Sequence, residues 1–270
     1  MAKKSVEPDS PRTIKSVETS FAIIESLQER ENAGITELSD ALGLSKTAIY
    51  HHLVSLKELG YVLQEDGRYK LSLRFLNLGK YIQINNNLYQ EGKPVIDELA
   101  ERSKEKAHLT IEENGRLVYL YKSESDEAVG RQFPVGERDY LHHSAAGKAI
   151  LAYLPEERVN TIIDESGLPS RTKKTITDRE ELFEELEQVR ENGFAVNNEE
   201  EIRGIKAVAS PIMDDNDRVI ASVSISGPVT RITGETQRNL EEMVQNGANI
   251  IQIRLHTDLE DPEWSSDSNI

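Results

Sequence analysis

Apolar positions in the first eighty residues recur at helical spacing in three short bursts. Val17, Phe21, Ile24 and Leu27 fall at i, i+4, i+7 and i+10, which predicts a helix over about 16–28 with one apolar stripe. Gly34 breaks that pattern. Thr36 is placed to cap a second, short helix with Leu38, Ala41 and Leu42 inward, and Gly43 ends it in a tight turn. Ser45 then caps a third helix whose Ile49, Leu53 and Leu56 share the inner face, while Lys46, Thr47, Tyr50, His51 and Ser55 lie on the opposite one. His52 leans toward the core side and reads as structural. Past Gly60 the period changes to that of a strand: residues 61–64 and 69–71 flank a turn at Glu65, Asp66 and Gly67. Three helices followed by a hairpin make a winged helix-turn-helix over residues 12–73.

From Leu73 the text RFLNLGKYIQINNN reads as a linker helix over 74–90, with Leu73, Leu76 and Ile84 apolar and Gly79 softening its middle. A helix over about 92–104 with Val95, Ile96, Leu99 and Ala100 inward comes next, then a hairpin turning at Asn114-Gly115. Ser144 caps AAGKAILAYL, Thr177 and Glu180 form a capping box, and IKAVASPI and VIASVSIS are apolar strands around the turn DDND. Leu240, Met243, Val244, Ala248, Ile251 and Leu255 stripe a final helix. Strands mixed with helices at both ends predict an α+β ligand-sensing domain over 91–256, and the polar residues 257–270 read as a disordered tail.

Composition narrows the class. A chain of 270 residues with 37% hydrophobic content has room for more than one core. No apolar run approaches the roughly 20 residues of a membrane span, and the N-terminus is polar, so a cytoplasmic protein without membrane contact is expected. With no cysteine there is no disulfide framework, thiolate metal site or cysteine nucleophile. The net charge of −16 is unevenly spread: residues 1–80 carry 11 basic and 11 acidic side chains, so the whole deficit falls on the remainder. Such a split suggests separate jobs for the two halves. An acidic balance of this kind is common in high-salt cytoplasms and occurs in ordinary acidic proteins too.

The chemistry-bearing residues can be weighed against plainer readings. The pair His51-His52 is a poor metal set, because adjacent helix positions point about a third of a turn apart. A helix face with several donor types beside a basic residue at its N-terminus suits the major groove instead. Ser45, Lys46 and Thr47 then meet phosphates or the first bases, Tyr50 and His51 meet base edges with Ser55 on the same face, and Arg68 and Lys70 of the wing meet the backbone or minor groove. An enzyme would need His142-His143 to activate Ser144, but no Gly-x-Ser-x-Gly elbow is present. DDND fails as a calcium loop, since Arg218 occupies a ligand position and the glycine is missing. No catalysis and no cofactor are expected. In SAAGKA the small Ala145, Ala146 and Gly147 open a helix N-terminus where a ligand could approach backbone amides; close packing against a sheet explains them equally well.

Five stretches in order, KSVETSFAIIESL, LSDALGLSKTAIYHHLVSLKELGYV, LHHSAAGKAILAYL, ENGFAVNNEEEIRGIKAVASPI and SVSISGPVTRIT, resemble the IclR family of transcriptional regulators from about Ile14 to Leu255. The resemblance implies a winged helix-turn-helix, a linker helix and a GAF-like effector-binding domain. It also implies homodimers or dimers of dimers on double-stranded promoter DNA, repressing or activating catabolism of a small molecule. It further implies an effector, a small organic acid or sugar derivative, against the SAAGKA loop, with polar partners at Asn197, Ser224 and Ser226. Asn197 is a departure, an amide where an acid is common, with Glu199 and Glu200 close by. Arg131, in the strand leading to this loop, reads either as a solvated arginine, the plainer reading, or as a partner for a carboxylate, and Ile205 and Ala207 are placed to supply an apolar wall.

Overall fold

The computed structural model describes residues 13–129 and 133–257. It divides into two compact units, at 1–82 and 83–270. The expected tail at 257–270 and the expected position of Arg131 lie outside the described residues, apart from Thr257 at the end of the last helix.

The first unit is a winged helix-turn-helix: α1 (Lys15–Arg30), α2 (Ile35–Leu42), α3 (Lys46–Glu58), β1 (Val62–Glu65) and β2 (Arg68–Leu71). Its core is Ile23, Leu27, Leu38, Ile49, Leu53, Leu56, Val62 and Tyr69. The three inner residues of α3 are where the spacing puts them, each worth about 1.5–3 kcal/mol of apolar burial. Two expectations shift. On α1 the core takes Ile23, Ser26 and Leu27, while Val17 and Phe21 remain 50% and 57% exposed. This helix carries two apolar arcs, and one small core can cover a single arc. Thr36 is exposed inside α2 rather than capping it; Gly34 is the cap, and the Glu37 carboxylate accepts from its N–H at 2.7 Å. Ala41 is likewise exposed, leaving Leu38 and Leu42 to face inward. The wing turns on Asp66 and Gly67, both at positive φ, with Glu65 opposite Arg68. An Ala33–Tyr69 bridge ties it to the segment before α2.

The linker span holds α4 (Arg74–Ile84), none of whose residues is buried, and the first turn of α5 (Asn87–Ser103), which starts earlier than expected because Asn86 caps it. The second unit continues with β3 (Lys106–Glu113), β4 (Arg116–Glu124), β5 (Arg138–Asp139), α6 (Ala145–Leu151), α7 (Glu156–Ser166), α8 (Arg179–Asn192), β6 (Ala195–Asn198), β7 (Ile205–Met213), β8 (Val219–Pro228) and α9 (Gly234–Thr257). The strands form one antiparallel sheet in the order β5-β4-β3-β8-β7-β6. Two hairpins, turned at Asn114-Gly115 and at Asp214 to Asp217, thus meet edge to edge along β3 and β8. The cap of α8 is Asp178, whose Oδ1 accepts from Glu180 N and Glu181 N, not the expected Thr177 box.

Side chains alternate across this sheet into two layers. Ala107, Leu109, Val208, Ile212, Val223 and Ile225 pack under α5 and α9, joined by the expected α9 stripe. The other face meets α6, with Ala207, Ala209, Leu117 and Tyr119 among the apolar contacts. The approach of α6 is extremely close: a Cβ on Gly147 would lie 2.0 Å from the Leu141 carbonyl oxygen. Gly147→Ala should therefore cost the second unit about 1–3 kcal/mol or more. Urea unfolding followed separately in the two units should show the loss in the second and none in the first; an unchanged second transition would contradict the packing.

Candidate DNA-reading face and effector cup

Helix α3 is anchored by Ser45, whose hydroxyl accepts from Ala48 N at 3.2 Å, so this side chain serves the cap. Lys46, Thr47, Tyr50, His51 and Ser55 are all exposed, as the spacing predicts. Tyr50 and His51 meet edge to face at 5.7 Å between ring centres, which presents a phenol and an imidazole side by side. Val54, 37% exposed and one turn beyond Tyr50, belongs to the same face and was readable as its i+4 neighbour. His52 turns away: its Nδ1 lies 2.8 Å from the Ser20 hydroxyl of α1, which pins the two helices together.

The wing is less free than its sequence suggests. Arg68 donates to the Asn32 side chain and pairs with Glu37 at 2.9 Å, holding the wing tip to the start of α2. The Gly34 N–H, and then Arg68, hold the Glu37 carboxyl below its usual range. Lys70 pairs with Glu65 at 2.7 Å. These are exposed pairs, weak enough for phosphate to compete.

On the α6 face of the sheet, strand register sorts the expected effector residues into rows. Asn197 on β6, Ala207 on β7, Ser226 on β8 and Lys106 on β3 are successive cross-strand neighbours. Ser224 starts the next row, between Ala209 and His108, and Ile205 sits half-buried at the rim. Three residues on this face were passed over in the sequence. His108 and Thr110 alternate with the apolar Leu109 and Ile111, so their side chains had to emerge on the other side. His108 lies 5.4 Å from Tyr119 and 6.0 Å from Phe133, whose rings stack at 4.8 Å. Burial, reinforced by Lys106 and Lys122, pushes the His108 pKa down to about 3, so the ring is neutral. Lys106 is 5% exposed, with Glu124 3.6 Å away. Register and burial thus bring together on this one face, the candidate effector cup, hydroxyls, one neutral imidazole, one buried ammonium and two stacked rings.

Other expected residues turn out to hold the cup rather than open into it. Ala145, Ala146 and Gly147 are buried, and the Ser222 hydroxyl donates to the Ala146 carbonyl at 3.0 Å. Asn197 spends both ends of its amide: Nδ2 donates to His143 O and Oδ1 accepts from Glu200 N, each at 2.9 Å. The acids beside it are engaged too, Glu199 with Lys174 and Glu200 with the fully buried Lys148, which also reaches Glu185 at 2.6 Å. No nucleophile is assembled at Ser144: its hydroxyl caps α6, His142 bonds to Pro169 O and His143 to Asp139. A separate cleft of about 380 Å³ over α7 and α8 is lined by Leu151, Val159 and Phe183 together with the charged Glu187 and Arg190.

Comparison with known proteins decides the family. The description "IclR helix-turn-helix domain" matches residues 16–66, and "Bacterial transcriptional regulator IclR C-terminal" matches 80–253. The chain is an IclR-family transcriptional regulator. It is 36% identical over 262 residues to a probable HTH-type transcriptional regulator ArcR of Halobacterium salinarum, covering 95% of this chain and 100% of that one. The crystal structure of the Thermotoga maritima IclR superposes with a TM-score of 0.76 at 28% identity, covering 89% of this chain and 98% of that one. An IclR homolog of Microbacterium hydrocarbonoxydans, complexed with 4-hydroxybenzoate, shares the fold at a TM-score of 0.76 and 21% identity, over 88% and 99% of the two chains. Among the described residues of this regulator no helix is long and apolar enough to cross a membrane.

Two buried imidazoles give the regulator's second unit an acid sensitivity. Burial lowers the folded pKa of His142 from 6.5 to about 4, and that of His108 further. Unfolding therefore takes up protons between those values and 6.5, so stability is full above about pH 6.5 and falls as pH drops toward 4. Asp139, held near 2 despite its burial by His143 and Arg171, weakens only below its ordinary 3.8. Urea unfolding of the second unit should show a loss from pH 7 to pH 4.5 of up to about 2.5 kcal/mol for each of the two imidazoles; a flat profile there would contradict neutral buried rings.

Proposed function

We propose that the regulator reads promoter DNA with the exposed face of α3 and is controlled by a small organic acid held in the cup on the α6 face of its sheet. The observation that carries the effector reading is the cross-strand row ending in Lys106: a buried ammonium beside Ser226, Ser224 and neutral His108 suits a carboxylate, and the Tyr119–Phe133 stack suits its apolar part. The 4-hydroxybenzoate held by a protein of the same fold supports this ligand class. Arg131, from outside the described residues, is a further cation for that carboxylate. Ala146 and Gly147 belong to the tightly packed start of α6, and Asn197 holds the His143 carbonyl, so its part in the proposed site is positioning.

On DNA, Lys46 and Thr47 meet phosphates, while Tyr50 and His51 meet base edges. A homodimer follows from apolar surface that one chain leaves uncovered: Val17 and Phe21 on α1, and Leu76, Tyr81, Ile82 and Ile84 on α4, are all more than half or about half exposed. Two copies give two recognition helices, which match half-sites one helical turn apart, and dimers of dimers extend the same logic. The family reading and the bonded state of Ser144 favour a regulator without catalysis.

Lys46→Ala should weaken binding to every duplex alike, whereas Tyr50→Ala or His51→Ala should lose discrimination of about 1–3 kcal/mol per base contact. Titrations on specific and random DNA separate the two patterns, and equal losses for all three variants would remove α3 from sequence reading. For the cup, a thermal-shift screen of small carboxylates should give a stabilising ligand that changes operator affinity by roughly 5- to 150-fold, with operator DNA changing ligand affinity by the same factor. Lys106→Met should abolish that response while DNA binding without ligand persists; an unaltered response would place the sensing site elsewhere.

A further inference from the structure

The second unit carries the chain's whole net charge of −16, yet four of its cations gather at one place. Arg171, Lys173 and Lys174 fall within four consecutive positions of the loop before α8, and Arg203 comes from the loop after β6. With Thr172 and Glu199 they line a notch of about 550 Å³. None of these residues belongs to the cross-strand row of the cup or to the exposed face of α3.

The cations of the notch are under-compensated. Its one lining carboxylate, Glu199, pairs with Lys174 and accepts from the Gly204 N–H at 2.8 Å through Oε1. Arg171 donates to Asp139 at 2.7 Å and still lines the notch, while Lys173 and Arg203 have no hydrogen bond or ion pair among the described residues. Arg203 acts on Glu199 through its charge alone. Both loops are also tied down. Thr175 Oγ1 accepts from Arg171 N at 3.1 Å and from Thr172 N at 2.9 Å, and donates to Glu200 O at 2.6 Å. The Thr172 hydroxyl donates to Glu199 O at 2.7 Å. Backbones fixed in this way hold like charges near one another, and an anion placed among them relieves the repulsion without first having to order the loops.

We propose that this notch binds a small, multiply charged oxyanion, with a phosphomonoester as the best match. Four lining cations stand against one lining carboxylate, and a phosphate group carries about −1.5 to −2 at neutral pH. Guanidinium groups meet phosphate oxygens through paired N–H donors, and the lysines add point charges on flexible stems. A long polyanion such as DNA fits less well, because the acidic remainder of the unit would repel its flanks. A compact ligand stays within the notch. Its binding would bridge the loop before α8 to the loop after β6, whose Glu200 carboxylate meets Lys148 on α6. The regulator would then have an anion input separate from the carboxylate cup.

The test is a calorimetric titration of the full-length protein with inorganic phosphate at fixed ionic strength, with nitrate as the monovalent control. One phosphate per chain is expected, and no matching signal from nitrate. Lys173→Gln and Arg203→Gln, both at exposed positions, should each weaken phosphate binding about tenfold, the loss of one charge-assisted hydrogen bond. Glu199→Gln should tighten it several-fold, since it removes the lining carboxylate and keeps an oxygen for the Gly204 N–H. Lys106→Met, which removes the ammonium of the cup, should leave phosphate binding unchanged. Circular dichroism checks that each variant is folded. Phosphate uptake no stronger than that of nitrate would overturn the proposal, as would a loss in Lys106→Met with none in the notch variants. Weakened binding of random duplex DNA by Lys173→Gln and Arg203→Gln, to the same degree as phosphate, would assign the notch to DNA and overturn it too.

Discussion

The fit of α6 against the sheet is the constraint on which the second unit's organisation depends. Gly147 has no side chain because the Leu141 backbone occupies the place of its Cβ, and Ala145, Ala146 and Ala149 keep the rest of the helix face small. That closeness lets the Ser222 hydroxyl reach the Ala146 carbonyl and the Asn197 amide reach the His143 carbonyl. A larger helix face would lift α6 from the strands and cost Ser222 and Asn197 one buried hydrogen bond each, at about 1–3 kcal/mol for each unmet group. The small residues are thus first a packing requirement, and whatever binds beside them depends on that packing.

The same face carries an unusual share of buried polarity. Lys148 lies on α6 with 1% exposure, and the carboxylates of Glu185 and Glu200 meet it from α8 and from the loop after β6. Burial raises the Glu200 carboxyl pKa, and Lys148 opposes that rise. Such an arrangement adds little net stability, but removing any one partner strands a charge, so it fixes which surfaces may meet. Among the described residues the opposite face, under α5 and α9, is filled mainly by aliphatic side chains. One face therefore holds the fold together while the other specifies geometry. The polar residues that could recognise a ligand stand on the face whose alignment is over-determined.

Legibility in the sequence followed the range of the interactions. Helices and hairpins that depend on local spacing were readable: Ile49, Leu53 and Leu56 in α3, the Asn114-Gly115 turn, and the stripe of α9 all lie where the pattern puts them. Caps were less readable, because serine, threonine, aspartate and glycine compete within two residues of a helix start; Asp178 displaced Thr177, and Gly34 displaced Thr36. Family resemblance picked Asn197, Ser224 and Ser226, and register sets them on one face of the sheet, with Ser226 opposite Ala207 and Ala207 opposite Asn197. Resemblance could not say that both ends of the Asn197 amide are already bonded. Lys106 and His108 were missed because a polar residue next to an inward leucine reads as solvent-facing, and only the α6 layer turns that side into an interior.

The charge split acquires a physical meaning once the two units are distinguished. A neutral DNA-reading unit should draw little from general attraction to phosphate, and an acidic partner unit on the same chain should oppose it, so weak, salt-sensitive non-specific binding is expected. The wing reinforces this economy of charge, since Arg68 and Lys70 must first give up Glu37 and Glu65 before they meet a phosphate. On the proposed reading, discrimination between sites would rest on neutral or lightly charged contacts from Tyr50, His51 and their neighbours, and on whether two copies present their helices at the spacing of the operator. The proposed dimer would need only a small change in the placement of its two reading heads to alter occupancy, because there is little unspecific attraction to hold a misaligned dimer on DNA. Coupling energies of about 1–3 kcal/mol, the usual range between sites, are of the same order as one lost base contact. An effector that costs the dimer a single good contact in each half-site would be sufficient to release it.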